Sequence, residues 1–107
     1  PAGDPNLPQL SLGSLSYNKG STRVQIQITN TFDTTRYMPI LYIKRPGFPY
    51  IETFIPEDGK VKYIEYRLSA SGVAIPGTYI FWAALMDYET FAVGPPSDSV
   101  TLHAFNE

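Results

Sequence analysis

Residues 23–29 read Arg-Val-Gln-Ile-Gln-Ile-Thr, and this stretch decides the fold class. The apolar residues Val24, Ile26 and Ile28 alternate with polar ones. Because side chains alternate between the two faces of an extended chain, one face meets a core and the other meets water. A helix would instead repeat its apolar residues at three- and four-residue spacing. The stretch therefore predicts a half-buried strand of an antiparallel sheet.

Short segments of the same kind, separated by turn residues, fill the rest of the chain. No segment carries apolar residues at helical spacing over three turns, and Pro-Gly, Asn-Lys-Gly and Pro-Glu-Asp-Gly clusters mark turns. Seven strands at this spacing predict an all-β, seven-stranded antiparallel β-sandwich. The predicted strands lie at residues 10–15, 22–30, 37–43, 50–55, 60–68, 77–86 and 97–105.

The period-two pattern also predicts which side chains fill the core. In the third strand Pro39 cannot donate a hydrogen bond to a neighbour, so we expect it to mark a sheet edge or the beginning of the strand. The predicted core residues are Val24, Ile26, Ile28, Leu41, Ile43, Ile64, Leu68, Tyr79, Phe81, Leu85, Val100 and Leu102.

Proline is concentrated at the beginning of the chain. Residues 1–9 hold three prolines and one glycine. Such composition is typical of a linker or flexible N-terminus. We therefore expect a single β-sandwich domain over residues 10–107 after a linker at 1–9.

The composition excludes several classes of function. The chain has 107 residues, no cysteine, one histidine and a net charge of −2. Without cysteine there is no thiolate nucleophile and no zinc-thiolate or iron-sulfur site, and no cofactor is expected. The even charge balance lacks the basic field that nucleic acid attracts. The apolar runs are too short for membrane insertion as a helix.

Residues 75–84 carry a family resemblance. They read Ile-Pro-Gly-Thr-Tyr-Ile-Phe-Trp-Ala-Ala, which resembles the E to F corner and F strand of immunoglobulin-like and fibronectin type III-like domains. The resemblance implies that the Tyr79 hydroxyl bonds back to the corner's backbone while its ring packs inward. Phe81 stands where an immunoglobulin domain has its second cysteine, which excludes an antibody-type domain. The sequence thus resembles the disulfide-free modules of bacterial extracellular proteins.

Motifs for catalysis are missing from the sequence. No Gly-x-Ser-x-Gly elbow accompanies His103, and a regular final strand points this histidine to the solvent face. The adjacent acids Glu57 and Asp58 lie in a turn. We expect no enzymatic activity and no metal site. A calcium site at Asp87, Glu89 and Asp98 is an open alternative, although their spacing matches no calcium-loop motif.

The apolar surplus of the long strand at 77–86 predicts a binding surface. If Tyr79, Phe81 and Leu85 face the core, Ile80, Trp82 and Met86 face outward. In such a sandwich the third and last strands flank this one. The predicted partner-binding residues are Trp82, Ile80, Met86, Tyr42 and Phe105, with Met38 and Ile40 beside them.

Two alternatives stand beside that surface. The N-terminal segment or the excursion at 44–56 would bury the patch as a minor core if either folded over it. Otherwise we expect a non-catalytic accessory module of a larger, extracellular or cell-surface bacterial protein. Its partner would be another domain of that protein, a second copy or another protein. Carbohydrate binding is the alternative function, because aromatic rings stack on sugar faces.

Overall fold

The computed structural model describes residues 4–17, 23–56, 62–68 and 75–104, and these residues form seven β-strands and no helix. Each strand overlaps a predicted one, and the bounds differ by at most three residues. Residues 22, 60, 61 and 105 of the predicted strands lie outside the described residues. The strands are β1 Leu12–Tyr17, β2 Arg23–Ile28, β3 Tyr37–Lys44, β4 Ile51–Phe54, β5 Tyr63–Arg67, β6 Gly77–Asp87 and β7 Val100–Ala104.

The strands form two antiparallel sheets. One has the order β1-β2-β5 and the other has the order β4-β3-β6-β7. The predicted all-β sandwich is confirmed, and β6 lies between the third and last strands as expected. In these ranges no helix is long and apolar enough to cross a membrane.

The core lies between the two sheets and consists of the predicted residues with a few additions. Eleven of the twelve predicted side chains are buried, and Val100 is half-buried against them. Leu10 ahead of β1 is also buried, at 1% exposure. Tyr66 lies edge-on to both Phe54 and Phe81, with ring centroids 5.5 and 5.7 Å away. Such edge-to-face contacts stabilise an aromatic core beyond its buried area.

The corner before β6 has the predicted tyrosine geometry. The Tyr79 hydroxyl donates to the Ile75 carbonyl oxygen at 2.7 Å, and the residue is fully buried. Burial raises the pKa of this hydroxyl. Gly77 has φ +140°, and a Cβ there would lie 2.6 Å from the Pro46 side chain. Only glycine fits this conformation and this close approach.

Within the described residues, Pro39 lies where β3 pairs with a strand on one side only. It is opposite Leu85 of β6, whereas β4 pairs with β3 only from Leu41 to Lys44. The sheet edge that the proline predicts is therefore present at this position, although β3 is a central strand further along.

The described part of the N-terminal segment lies against the stretch between β6 and β7. The Asp4 amide donates to the Val93 carbonyl at 2.8 Å, and the Gln9 side-chain amide donates to the Pro96 carbonyl at 2.7 Å. A Cβ on Gly94 would lie 3.0 Å from the Leu7 side chain. A domain boundary at residue 10 stays a prediction.

Candidate functional site

The outer face of the β4-β3-β6-β7 sheet carries a row of large apolar side chains. The register pairs Met38 with Met86 and Tyr42 with Trp82, and it places Ile80 beyond Trp82 on β6. All five residues are half-buried. We call Met38, Tyr42, Ile80, Trp82 and Met86 the Trp82 surface. Phe105, predicted to join it, lies outside the described residues.

An aromatic stack forms the centre of this surface. The rings of Tyr42 and Trp82 are stacked with centroids 5.9 Å apart and planes at 23°. Burial raises the pKa of the Tyr42 hydroxyl. Stacking against a neighbour holds each ring in one orientation, so this apolar surface is pre-ordered.

Two smaller residues form the floor between the large ones. Ile40 and Ala84 are opposite each other, between the Met38–Met86 and Tyr42–Trp82 pairs, and are 5% and 1% exposed. Ile40 was predicted to be part of the exposed patch, but it is buried at its position between these larger side chains. The large side chains of the Trp82 surface therefore lie on both sides of a buried centre.

The excursion at 44–56 does not fold over the Trp82 surface. Its central part is β4, which adds to the sheet beside β3 and turns Phe54 into the core. Phe48 and Tyr50 are 45% and 72% exposed. The excursion adds a strand beside β3, so it does not bury the Trp82 surface as a minor core.

The Asp87 carboxylate accepts hydrogen bonds from the backbone of the turn that follows β6. One carboxylate oxygen accepts hydrogen bonds from the Glu89 and Thr90 amides at 2.8 and 3.3 Å, and the other accepts from the Arg36 guanidinium at 3.4 Å. The backbone hydrogen bonds, chiefly that of Glu89, and the Arg36 charge hold the pKa of Asp87 below its usual value. Within the described ranges no three acidic or histidine side chains are grouped to hold a metal ion.

His103 lies on the exposed face of β7, as predicted. Its Nδ1 atom is 3.1 Å from the Thr78 hydroxyl. In the part of the chain described, no ion pair joins this ring to an acidic side chain. Among the described residues, none supplies the carboxylate that orients the histidine of a catalytic triad.

Sequence reasoning missed two groups of exposed apolar residues. Ile51 and Ile55, in and just after β4, are 56% and 50% exposed. In the turn after β6, Tyr88 and Phe91 are 47% and 70% exposed, and Phe91 has φ +60°. Period-two alternation along residues 50–55 could have predicted that Ile51 and Ile55 share the face opposite Phe54. The left-handed conformation of a phenylalanine has no such signal, because glycine or asparagine normally occupies it.

The fold is similar to that of known fibronectin type III domains. A fibronectin type III domain of human fibronectin type III domain containing protein 3 aligns with 99% of this chain and 93% of its own, with a TM-score of 0.59 and 16% identity. The chicken CNTN1 FN1-FN3 domains align with 97% of this chain and 36% of their own, with a TM-score of 0.56 and 12% identity.

Comparisons of the sequence found no similar protein. No protein-family model matches the chain, and no curated protein matches it. At these identities the structural likeness concerns the fold alone. The order of the strands in the two sheets, the tyrosine corner and the two structural matches together show that the chain has a fibronectin type III-like β-sandwich fold.

Proposed function

We propose that this domain is a non-catalytic interaction module that binds another protein or another domain through the Trp82 surface. The observation that carries the proposal is the stacked Tyr42–Trp82 pair at the centre of a contiguous apolar sheet face. Contiguous apolar patches on soluble domains usually mark contact sites, and tryptophan and tyrosine are enriched at binding hot spots. Fibronectin type III-like domains are commonly interaction modules, which supports the same assignment.

The proposed setting is a larger extracellular or cell-surface protein. A sandwich without cysteine needs no oxidising compartment, so this location rests on the resemblance to bacterial extracellular modules alone. Three kinds of partner fit the surface: a neighbouring domain of the parent protein, a second copy and a separate protein. Each would bury the same apolar side chains.

Substitution of Trp82 tests the proposal. Trp82→Ala should weaken binding to an isolated partner, measured by calorimetry with purified components, by about 2 kcal/mol, roughly thirtyfold. Its cost in folding stability should stay well below that of truncating a fully buried aromatic side chain, because Trp82 is only half-buried. Tyr88→Ala, which truncates an exposed aromatic residue outside the surface, is the matched control and should leave binding unchanged.

The folding stability of Trp82→Ala shows whether the Trp82 surface is a second core. Phe81→Ala removes a fully buried aromatic side chain of the same strand and should cost about 3 to 5 kcal/mol. If Trp82→Ala cost as much, the outer face would have a packing role and the proposal would be wrong.

A groove on the other sheet supports carbohydrate binding as the second candidate function. It has a volume of about 310 Å³ and is lined by Ser14, Ser16, Gln25, Gln27, Lys62 and Tyr63. Hydroxyl, amide and ammonium groups beside one aromatic ring are the groups that bind sugar hydroxyls and ring faces. Binding on a glycan array that is lost in Tyr63→Ala but kept in Trp82→Ala would favour this function.

A further inference from the structure

Strand β4 is the outermost strand of its sheet. It pairs with β3 through residues Ile51–Phe54, and within the described residues no strand lies on its other side. The outer edge of any such strand has backbone N–H and C=O groups that another strand can bind.

The side chains along this edge are unusually apolar for exposed positions. Tyr50, Ile51 and Ile55 are 72%, 56% and 50% exposed, and Phe48 nearby is 45% exposed. Ile51 and Thr53 lie on the outer face, since their partners on β3 are Lys44 and Tyr42. Ile55 continues the same alternation. The outer face of the edge is therefore formed by three β-branched residues, 51, 53 and 55.

Charge does not protect the edge from pairing. Strand β4 contains no lysine or arginine, and its single acid, Glu52, is opposite Ile43 on the inner face. The Glu52 carboxylate is 3.3 Å from the Arg45 guanidinium, so its charge is compensated within the same chain. A second strand would meet no uncompensated charge on β4.

We propose that β4 pairs with β4 of a second copy, antiparallel and centred on Thr53, to form a symmetric dimer with one eight-stranded sheet. A twofold axis at Thr53 places Thr53 opposite its counterpart and Ile51 opposite Ile55 of the partner subunit. Such pairs of β-branched residues across an antiparallel edge are mutually stabilising. The inference goes beyond the proposed function and does not depend on it.

The flanking prolines limit this pairing to a closed pair. Pro49 and Pro56 bound the strand and have no N–H to donate, so pairing stops at about six residues. A twofold contact uses the same edge of both copies and leaves neither β4 edge free, so it does not propagate into a fibre. A contact this short is below the size of a standard interface, which makes the dimer a weak one.

The dimer would also join the two Trp82 surfaces. Thr53 is next to Tyr42, which stacks on Trp82. Five strand spacings of about 4.8 Å would separate β6 from β6 of the partner subunit, roughly 24 Å. The two apolar surfaces would then lie on one continuous sheet face.

The first test compares lysine substitutions by sedimentation equilibrium of the full chain. The double variant Ile51→Lys/Ile55→Lys changes two exposed side chains and should weaken the dimer at least about tenfold in Kd. Ile75→Lys is the matched control, because Ile75 is also 50% exposed but lies at the tyrosine corner. It should leave the dimer unchanged. A wild-type chain that is monomeric at every concentration, or equal weakening by the control, would overturn the proposal.

The second test measures the register directly. Because the chain has no cysteine, Thr53→Cys introduces a single thiol, which the twofold axis places opposite its counterpart. Under mild oxidation this variant should form a disulfide-linked dimer much faster than Thr101→Cys, whose thiol lies on the exposed face of β7 at the opposite edge. Equal rates would overturn the proposed register. A dimer that dissociates in Trp82→Ala but does not cross-link at position 53 would place self-association on the Trp82 surface instead.

Discussion

At the scale of single residues, Tyr79 shows how one hydrogen bond fixes a connection between sheets. Its ring is fully buried beside Phe81, with the two rings stacked at 6.3 Å, while its hydroxyl reaches back four residues to the Ile75 carbonyl. The buried hydroxyl would lose its hydrogen bond with water on folding, and the carbonyl replaces it. The side chain thus ties the entry of β6 to the core.

Removal of this hydroxyl should cost about 1 kcal/mol of unfolding free energy, because the hydrogen bond is lost while the ring packing is kept. Urea unfolding of Tyr79→Phe measures the change. Tyr50→Phe removes a hydroxyl from a residue that is 72% exposed and should change the stability little. Equal stability of the two variants would mean that the corner bond contributes nothing.

At the scale of elements, the turn after β6 depends on one buried carboxylate. Asp87 is 5% exposed, and its carboxylate caps the amides of Glu89 and Thr90 and binds Arg36. The Tyr88 amide also donates to the Arg36 carbonyl at 2.9 Å. These contacts hold the turn against the loop that precedes β3, and they present Tyr88 and Phe91 to solvent.

The lowered pKa of Asp87 predicts a specific loss of stability in acid. In the folded chain the pKa lies below its ordinary value of 3.8, so the stabilisation is complete above that value and disappears as the pH falls through the folded pKa. Asp87→Asn keeps the shape but removes the charge. The difference in unfolding free energy between wild type and Asp87→Asn should therefore shrink as the pH falls from 6 to 2.

Urea titrations at each pH measure this difference. Asp33, whose pKa is also lowered, is present in both proteins, so its contribution cancels. A difference that stays constant over this range would show that the charge of Asp87 has no role in holding the turn.

At the scale of the whole molecule, the sequence predicted the fold better than the surface. Alternation in β2 and β5 depends only on which face is buried, so Val24, Ile26 and Ile64 could be assigned to the core without knowing the partners of their strands. The burial of Ile40 could not be predicted in this way, because it depends on the large neighbours that the register places on both sides of it. The exposed edge at Ile51 likewise depends on β4 being the last strand of its sheet.

The position of the excursion at 44–56 determines whether the Trp82 surface is covered by the chain itself or exposed. Its apolar residues occur on both faces. This pattern fits two arrangements: a strand added to the sheet, or a segment that covers the outer face of the sheet. The structure shows the first arrangement, with Phe54 packed on Tyr66 inside the sandwich. The Trp82 surface is consequently half-exposed in the single chain, as the proposed contact with a partner requires.

The most direct test of the Trp82 surface is iodide quenching of tryptophan fluorescence in a verified monomer. Trp82 is the chain's single tryptophan, so the signal reports this site alone. A half-exposed indole on the sheet face should be quenched by iodide, and the quenching should decrease when a partner covers the surface. A blue-shifted emission that iodide does not quench in the monomer would mean that the chain covers Trp82 itself, and would contradict its role as a contact surface.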